Sequence, residues 1–281
     1  MSDWTVPTLD EVAEWIAIPG AGDDKYTRGV LGVVTGASRY PGAAVLGVEA
    51  AVRTGLGMVR YLGEAAQLVL ARRPEVVTTP GRVQAWLIGS GTDAEETGAF
   101  ERLFAEALGS GLPVVADAGA LGAVASGLPE AAGPVVVTPH SRELARMLGV
   151  AGIDVTPGEV ASSPQLWVRR AADRLEATVL LKGATTHVAS PEGRRSFVVP
   201  DGPGWLATAG TGDVLAGILG AMVTTNAHRL EEDPGALAEL AASAALLHQE
   251  AARLASRGAP IAALDVAEAL PDAIRSALRR R

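Results

Sequence analysis

Cysteine is absent from all 281 residues, so disulfides, thiolate metal sites and cysteine nucleophiles are excluded at once. Lysine is almost absent: only Lys25 and Lys182 occur, and arginine does the remaining basic work. Aromatic residues make up 4% of the chain, and alanine and glycine take up the space, which permits close packing of helices and strands. No apolar run approaches the ~18 residues of a membrane-spanning helix. The start, MSDWTVPTLDEVAEW, is acidic and lacks the charged-then-apolar pattern of a secretory signal. Formal charge is -8, so no global basic footprint for nucleic acid exists, and an anionic ligand needs a local binding device. No GxxxxGK[ST] loop is present, no histidine pair has metal-ligand spacing, and Ser38 lacks the GxSxG context of a hydrolase.

What is present is a core. Hydrophobic residues are 48% and charged residues 20%, which excludes a disordered chain. These features predict a soluble cytoplasmic protein with no membrane or nucleic-acid partner. Thr8 and Glu11 form a capping-box pattern that opens a helix over 8–17. Beyond it, β-branched runs alternate with helical periodicity. Strands are predicted at 29–36, 56–62, 84–89, 113–117, 134–138, 178–183, 185–190 and 195–200. Helices are predicted at 41–55, 93–111, 140–149, 164–175, 212–226, 233–256 and 262–279, and a hairpin turn at 191–193. The alternation implies an α/β fold with a mostly parallel sheet covered on both faces. In such folds a ligand sits beyond the carboxyl ends of the strands. There the unusual residues fall: Thr35-Gly36, Gly89-Ser90-Gly91, Asp117, Thr138-Pro139-His140 and Lys182-Gly183.

The sharpest segment runs from Gly204 through Gly210-Thr211-Gly212-Asp213 into an apolar helix. Free N–H groups and the positive dipole end at a helix start make an anion site. Glycines at 210 and 212 allow the backbone to approach a phosphate closely. Asp213 in the first turn reads either as a complement to the helix dipole or as a base that takes a hydroxyl proton during phosphoryl transfer. Lys182, at the end of an apolar strand, reads either as a solvated surface cation or as a phosphate partner. His140, with Glu143 three residues on, reads as a capped helix start or as a substrate contact. Gly89-Ser90-Gly91-Thr92-Asp93-Ala94 matches a weak GxGxxA dinucleotide fingerprint, with Asp117 ending the next strand. A Rossmann oxidoreductase is therefore a rival, though it leaves the 210–213 loop unexplained. His187 is expected on a strand, and His228 and His248 at helix surfaces.

Gly210-Thr211-Gly212-Asp213 before an apolar helix resembles the anion-hole signature of the ribokinase-like superfamily. The fuller string GWLATAGTGDVLAGILGAM, with TPH at 138–140, LLKGATT at 180–186 and VVTGASRYPGAAVLGVEAAVRTG at 33–55, resembles the ADP/ATP-dependent NAD(P)H-hydrate dehydratases. The likeness spans roughly residues 25–280.

The resemblance implies a single ribokinase-like domain over 1–281 with no fused epimerase, working beside a separate one. It implies Asp213 as catalytic base; Gly210, Thr211 and Gly212 as anion hole; and Lys182, Gly183, Ala184, Thr185, Thr186 and Gly212 at the nucleotide. Ala43, Gly91, His140 and Asp213 would meet the hydrated nicotinamide cofactor, NADHX or NADPHX. Mg2+ with ADP or ATP as co-substrate, and a homotetramer, are likewise implied. The chain departs from the family pattern twice: Ser141-Arg142 replaces the usual Pro-Gly, and Gly119 stands where a second aspartate is usual. The second departure leaves the metal ligands open, with Asp117 or water as substitutes. A kinase of the same superfamily that stops at a phosphorylated alcohol, and a nucleotide-binding regulator without turnover, are the other readings.

Overall fold

The structure is a computed structural model that describes residues 4–92, 99–127 and 131–280. Eight strands form one sheet among these residues: β1 (Val30–Val34), β2 (Met58–Tyr61), β3 (Ala85–Ile88), β4 (Val114–Ala116), β5 (Val135–Val137), β6 (Thr178–Leu181), β7 (Thr186–Ala189) and β8 (Ser196–Val199). Their order is β2-β1-β3-β4-β5-β6-β7-β8. Strands β1 to β6 pair in parallel, and β7 and β8 add an antiparallel edge. Each predicted strand is found, shorter at its ends because the flanking glycines and polar residues turn away.

The helices are α1 (Leu9–Trp15), α2 (Pro41–Thr54), α3 (Ala66–Arg72), α4 (Ala99–Leu108), α5 (Leu121–Ser126), α6 (Ser141–Val150), α7 (Pro157–Ser162), α8 (Pro164–Leu175), α9 (Thr211–Thr225), α10 (Ala227–Glu232), α11 (Ala236–Ser256) and α12 (Ala263–Leu278). At α1 the capping box forms: Glu11 N–H donates to Thr8 Oγ1 at 3.3 Å, and Thr8 N–H to Glu11 Oε2 at 2.7 Å. The start of the helix predicted at 93–111 lies outside the described residues; α4 is its described part. The expected turn at 191–193 is a short 3-10 segment. No described helix is long and apolar enough to cross a membrane.

Alternate strand residues face opposite ways, as the two-residue pleat requires. Leu31, Val33, Leu87, Val115, Val136 and Leu180 join one buried cluster with side chains of α2, α9, α11 and α12. Val34, Ile88, Ala116, Val137 and Val179 join another with α4, α5, α6 and α8. Both faces are thus covered, so the strands read as continuous apolar runs rather than alternating ones. The strand order reverses between β1 and β3, and the loops after them are joined: Gly36 N–H donates to Ser90 O at 2.8 Å and Ala37 N–H to Gly91 O at 2.9 Å. Such a reversal opens a crevice beyond the carboxyl ends of the strands.

Away from that crevice, α2 carries a fully buried carboxylate. Glu49 accepts from Arg53 Nε at 2.5 Å, Arg73 Nε at 2.6 Å and Arg72 Nε at 3.2 Å. Arg72 also pairs with Glu268, so the cluster ties α2 and α3 to α12. Burial opposes the Glu49 charge, but three guanidinium groups outweigh it and hold the carboxyl down at about 2.

Candidate active site

Four strand ends and the starts of α6 and α9 build the site. Gly210 is the N-cap of α9 at φ 91, a left-handed conformation that disfavours a side chain, and it has no capping side-chain bond. Thr211 N–H makes a long bond to Thr208 O at 3.4 Å, and among the described residues the Gly212 and Asp213 N–H groups have no backbone acceptor and are left for a ligand. Asp213 stands in that turn, half-buried, and among the described residues its carboxylate accepts no hydrogen bond. It is not a cap. Burial first, and the Asp117 charge second, push its carboxyl up to about 7, against the pull of Lys182.

Lys182 follows β6. Its N–H donates to Pro139 O at 2.8 Å, which seats the β6 end beside His140. Its ammonium lies 2.8 Å from Asp117 Oδ1 and 3.5 Å from where a β-carbon on Gly212 would lie. Burial works against this charge, but Asp117, Glu143 and Asp213 outweigh it and raise the Lys182 pKa. Asp117, at the β4 end, is buried and accepts further from Thr138 Oγ1 at 2.7 Å and Ser90 Oγ at 3.0 Å. Burial alone would raise its pKa; Lys182 and the two hydroxyls hold it down. Its two oxygens are thus engaged, which argues against the ribose-binding role of a Rossmann aspartate.

His140 is the N-cap of α6. Glu143 N–H donates to His140 Nδ1 at 3.2 Å and His140 N–H donates to Glu143 Oε2 at 2.8 Å. This reciprocal cap supplies the helix start without the Pro-Gly pair. The imidazole is not packed away: its side chain is 50% exposed, and it lines a cavity of about 560 Å3. Lys182, Gly183, Ala184, Thr186, Thr211 and Gly212 line the same cavity. Thr185 does not; its hydroxyl donates to Asp201. On the other side of the crevice, a β-carbon placed on Gly91 would lie 2.3 Å from the Ala43 β-carbon, so these two residues pack directly.

Sequence reasoning missed two groups here. His248, expected at a helix surface, is buried and lines the cavity from α11. Burial pushes its imidazole down to about 4, so it is neutral, in hydrogen-bond contact with the Thr211 backbone. Its neighbours at helical spacing, Ala244, Ala245, Ala251 and Ala252, are apolar and were the available signal. Gly202 and Pro203, just before the segment singled out in the sequence, also line the cavity; glycine and proline gave no chemical signal there.

A sequence model of the NAD(P)H-hydrate dehydratase family matches residues 31–272. The bifunctional NAD(P)H-hydrate repair enzyme Nnr of Mycobacterium tuberculosis is 46% identical over 224 residues, 77% of this chain and 45% of that protein. The chain thus spans about half the length of such curated relatives. The ADP-dependent (S)-NAD(P)H-hydrate dehydratase of Neisseria meningitidis is 33% identical, over 85% of this chain and 81% of that protein. Among solved structures, the ADP/ATP-dependent NAD(P)H-hydrate dehydratase of Bacillus subtilis, co-crystallised with ATP/Mg2+, superposes with a TM-score of 0.85. It is 27% identical, and the match covers 99% of this chain and 100% of that one. A ribokinase-like superfamily protein of Enterococcus faecalis, at 22% identity and a TM-score of 0.79, shows the same fold. By the extent of the matched sequence and by its fold, the chain belongs to the NAD(P)H-hydrate dehydratase family.

Proposed function

We propose that this chain dehydrates (S)-NADHX or (S)-NADPHX to NADH or NADPH at the expense of ADP or ATP. One observation carries the reading: a carboxylate with a pKa near neutrality, Asp213, in the first turn of an open helix start, beside a lysine and a large cavity. Hydroxide leaves a carbon poorly, whereas phosphate leaves well. Asp213 takes the proton of the ring hydroxyl, and the freed oxygen attacks the terminal phosphorus of the nucleotide. The bond from phosphorus to the bridging oxygen breaks, and AMP or ADP leaves. Next the carbon–oxygen bond breaks, assisted by the electron pair of the ring nitrogen. Loss of a proton from the neighbouring ring carbon to water completes the double bond and restores the reduced cofactor.

The chain's own groups divide this work. The N–H groups of Gly210, Thr211 and Gly212 face the transferred phosphoryl group, where preorganised donors stabilise developing charge. Lys182 supplies a cation there, and Gly183, Ala184 and Thr186 border the nucleotide, with Thr185 turned to Asp201 beside them. His140, Ala43 and Gly91 hold the hydrated cofactor. Magnesium, if bound with the nucleotide, would need few protein ligands here, Asp117 or water being the substitutes open to it. Among the described residues no group of three or more His, Asp or Glu forms a protein cage for it. The ion would neutralise phosphate charge. A homotetramer, a cytoplasmic site of action and a partner epimerase complete the reading.

A product assay tests it. Purified protein with hydrated NADH or NADPH, each with ADP or ATP and magnesium, should regain the absorbance band of the reduced nicotinamide and release phosphate. A stable phosphorylated product would instead assign a kinase, and no turnover a regulator.

A further inference from the structure

We propose that Asp117 is a positioning residue for this reaction: its carboxylate clamps the Lys182 ammonium beside Gly212 and aims it at the phosphoryl group being transferred. The proposal rests on the reading above. Nothing in the sequence pairs the two residues, which stand 65 positions apart. The sheet does so, because β4, β5 and β6 are neighbours and each leads directly into one member of the cluster. Asp117 directly follows β4, Thr138 follows β5 and Lys182 follows β6, while Ser90 lies two residues beyond β3.

The geometry is that of a clamp rather than a ligand site. Asp117 Oδ1 takes the lysine at 2.8 Å and Thr138 Oγ1 at 2.7 Å, and Oδ2 takes Ser90 Oγ at 3.0 Å. The side chain is 4% exposed, against 21% for Lys182, so the carboxylate stays behind while the ammonium reaches the cavity. A lysine is a point charge on a flexible stem, and its value to a transition state depends on being held in place. The next residue, Ala118, sits at φ 44, a left-handed conformation that is costly for a side-chain-bearing residue. That strained turn fixes the direction in which the Asp117 strand end leaves the sheet.

The clamp has an electrostatic consequence. The charges that face Asp213 are Asp117 from the β4 end, which raises its pKa, and Lys182 from the β6 end, which lowers it. Glu143 of α6 acts on Lys182, and His248 of α11 is neutral. Removing the Asp117 charge therefore lowers the Asp213 pKa. A purely structural aspartate would shift that titration as well, through its charge alone, so the clamp is read from nucleotide affinity and turnover, which depend on where the Lys182 ammonium is held.

The test uses Asp117→Asn and Thr138→Val in the full chain. Asp117→Asn should lower kcat about 10-fold to 100-fold and move the acid limb of kcat/KM to lower pH by about one unit. Thr138→Val should lower kcat several-fold while the protein stays folded, and it decides the matter if Asp117→Asn does not fold. A carbon-13 carboxyl NMR titration of Asp213, assigned through Asp213→Asn, reads the same shift without any substrate. Wild-type protein inactive on hydrated cofactor would overturn the dehydratase reading, and the nucleotide affinity of Asp117→Asn and Thr138→Val, read by calorimetric titration, would still decide the clamp. Nucleotide affinity and kcat both within twofold of wild type in the folded variants would overturn the proposal.

Discussion

A β-carbon on Gly119 would lie 2.2 Å from Thr92 Oγ1 and 2.7 Å from Thr92 O. The loop after β3 has closed onto the space that a second aspartate would fill. A residue with a side chain at 119 therefore meets Thr92, and the buried carboxylate of this strand end is that of Asp117.

Gly119→Asp should therefore destabilise rather than repair. Backbone as well as side chain is in the way, so the cost should be about 1–3 kcal/mol. Thr92→Ala in the same chain should recover only part of it, because the Thr92 carbonyl remains. Chemical denaturation of the three proteins checks this. An aspartate tolerated at full stability would mean that the β3 loop moves freely.

Lys182→Ala should weaken nucleotide binding more than binding of the hydrated cofactor, since a strand-end ammonium pairs with phosphate as a point charge. It should also leave Asp117 buried and unpaired, at a cost of about 3 kcal/mol. Adding Asp117→Asn should recover stability but not nucleotide affinity. Calorimetric titration and thermal melting separate the two effects. Unchanged nucleotide affinity in Lys182→Ala would return the lysine to a structural role.

The Glu49 cluster sets an acid limit on stability. Its folded pKa of about 2 lies below the ordinary 4.5, so its contribution is present above pH 4.5 and is lost as pH falls toward 2. By linkage that contribution is about 3 kcal/mol. Glu49→Gln should be less stable than wild type at pH 7, and the gap should close as pH falls. Denaturation at several pH values checks it; a gap independent of pH would contradict the ion-pair account.

Much of this was legible in the chain itself. All eight strands were readable because β-branched runs end in glycine or polar residues. Asp213, Lys182 and His140 stood out because each is a reactive group directly after an apolar run or at a helix start. Short helices were harder. Ala65, before α3, offers no capping side chain, and α10 follows α9 without a break that the pattern could mark. Helix α7 is opened by a capping box of Thr156 and Glu159, but its six residues carry too little periodicity to mark a helix in the sequence. Asp117 was visible as a polar strand end, but its pairing with Lys182 was not, because that depends on strand order. His248 was hidden by the opposite effect: a polar residue on a helix face otherwise filled by alanine.

The acid limb of kcat/KM should have its midpoint near pH 7, where Asp213 titrates, with activity rising toward higher pH. Burial raises the folded pKa of this carboxyl above its ordinary 3.8, so its ionisation costs stability as pH rises from about 4 to about 7. A limb centred near pH 4 would place the carboxylate in water.

Asp213→Asn tests the central claim most directly, read as turnover, nucleotide affinity and melting temperature at pH 8. Asparagine keeps the size but cannot take a proton. A buried general base predicts turnover lower by roughly 100-fold to 10,000-fold, nucleotide affinity nearly intact, and a melting temperature equal to or above that of wild type. Turnover within about threefold of wild type, in a protein that melts lower, would reduce Asp213 to a complement of the helix dipole and contradict the mechanism.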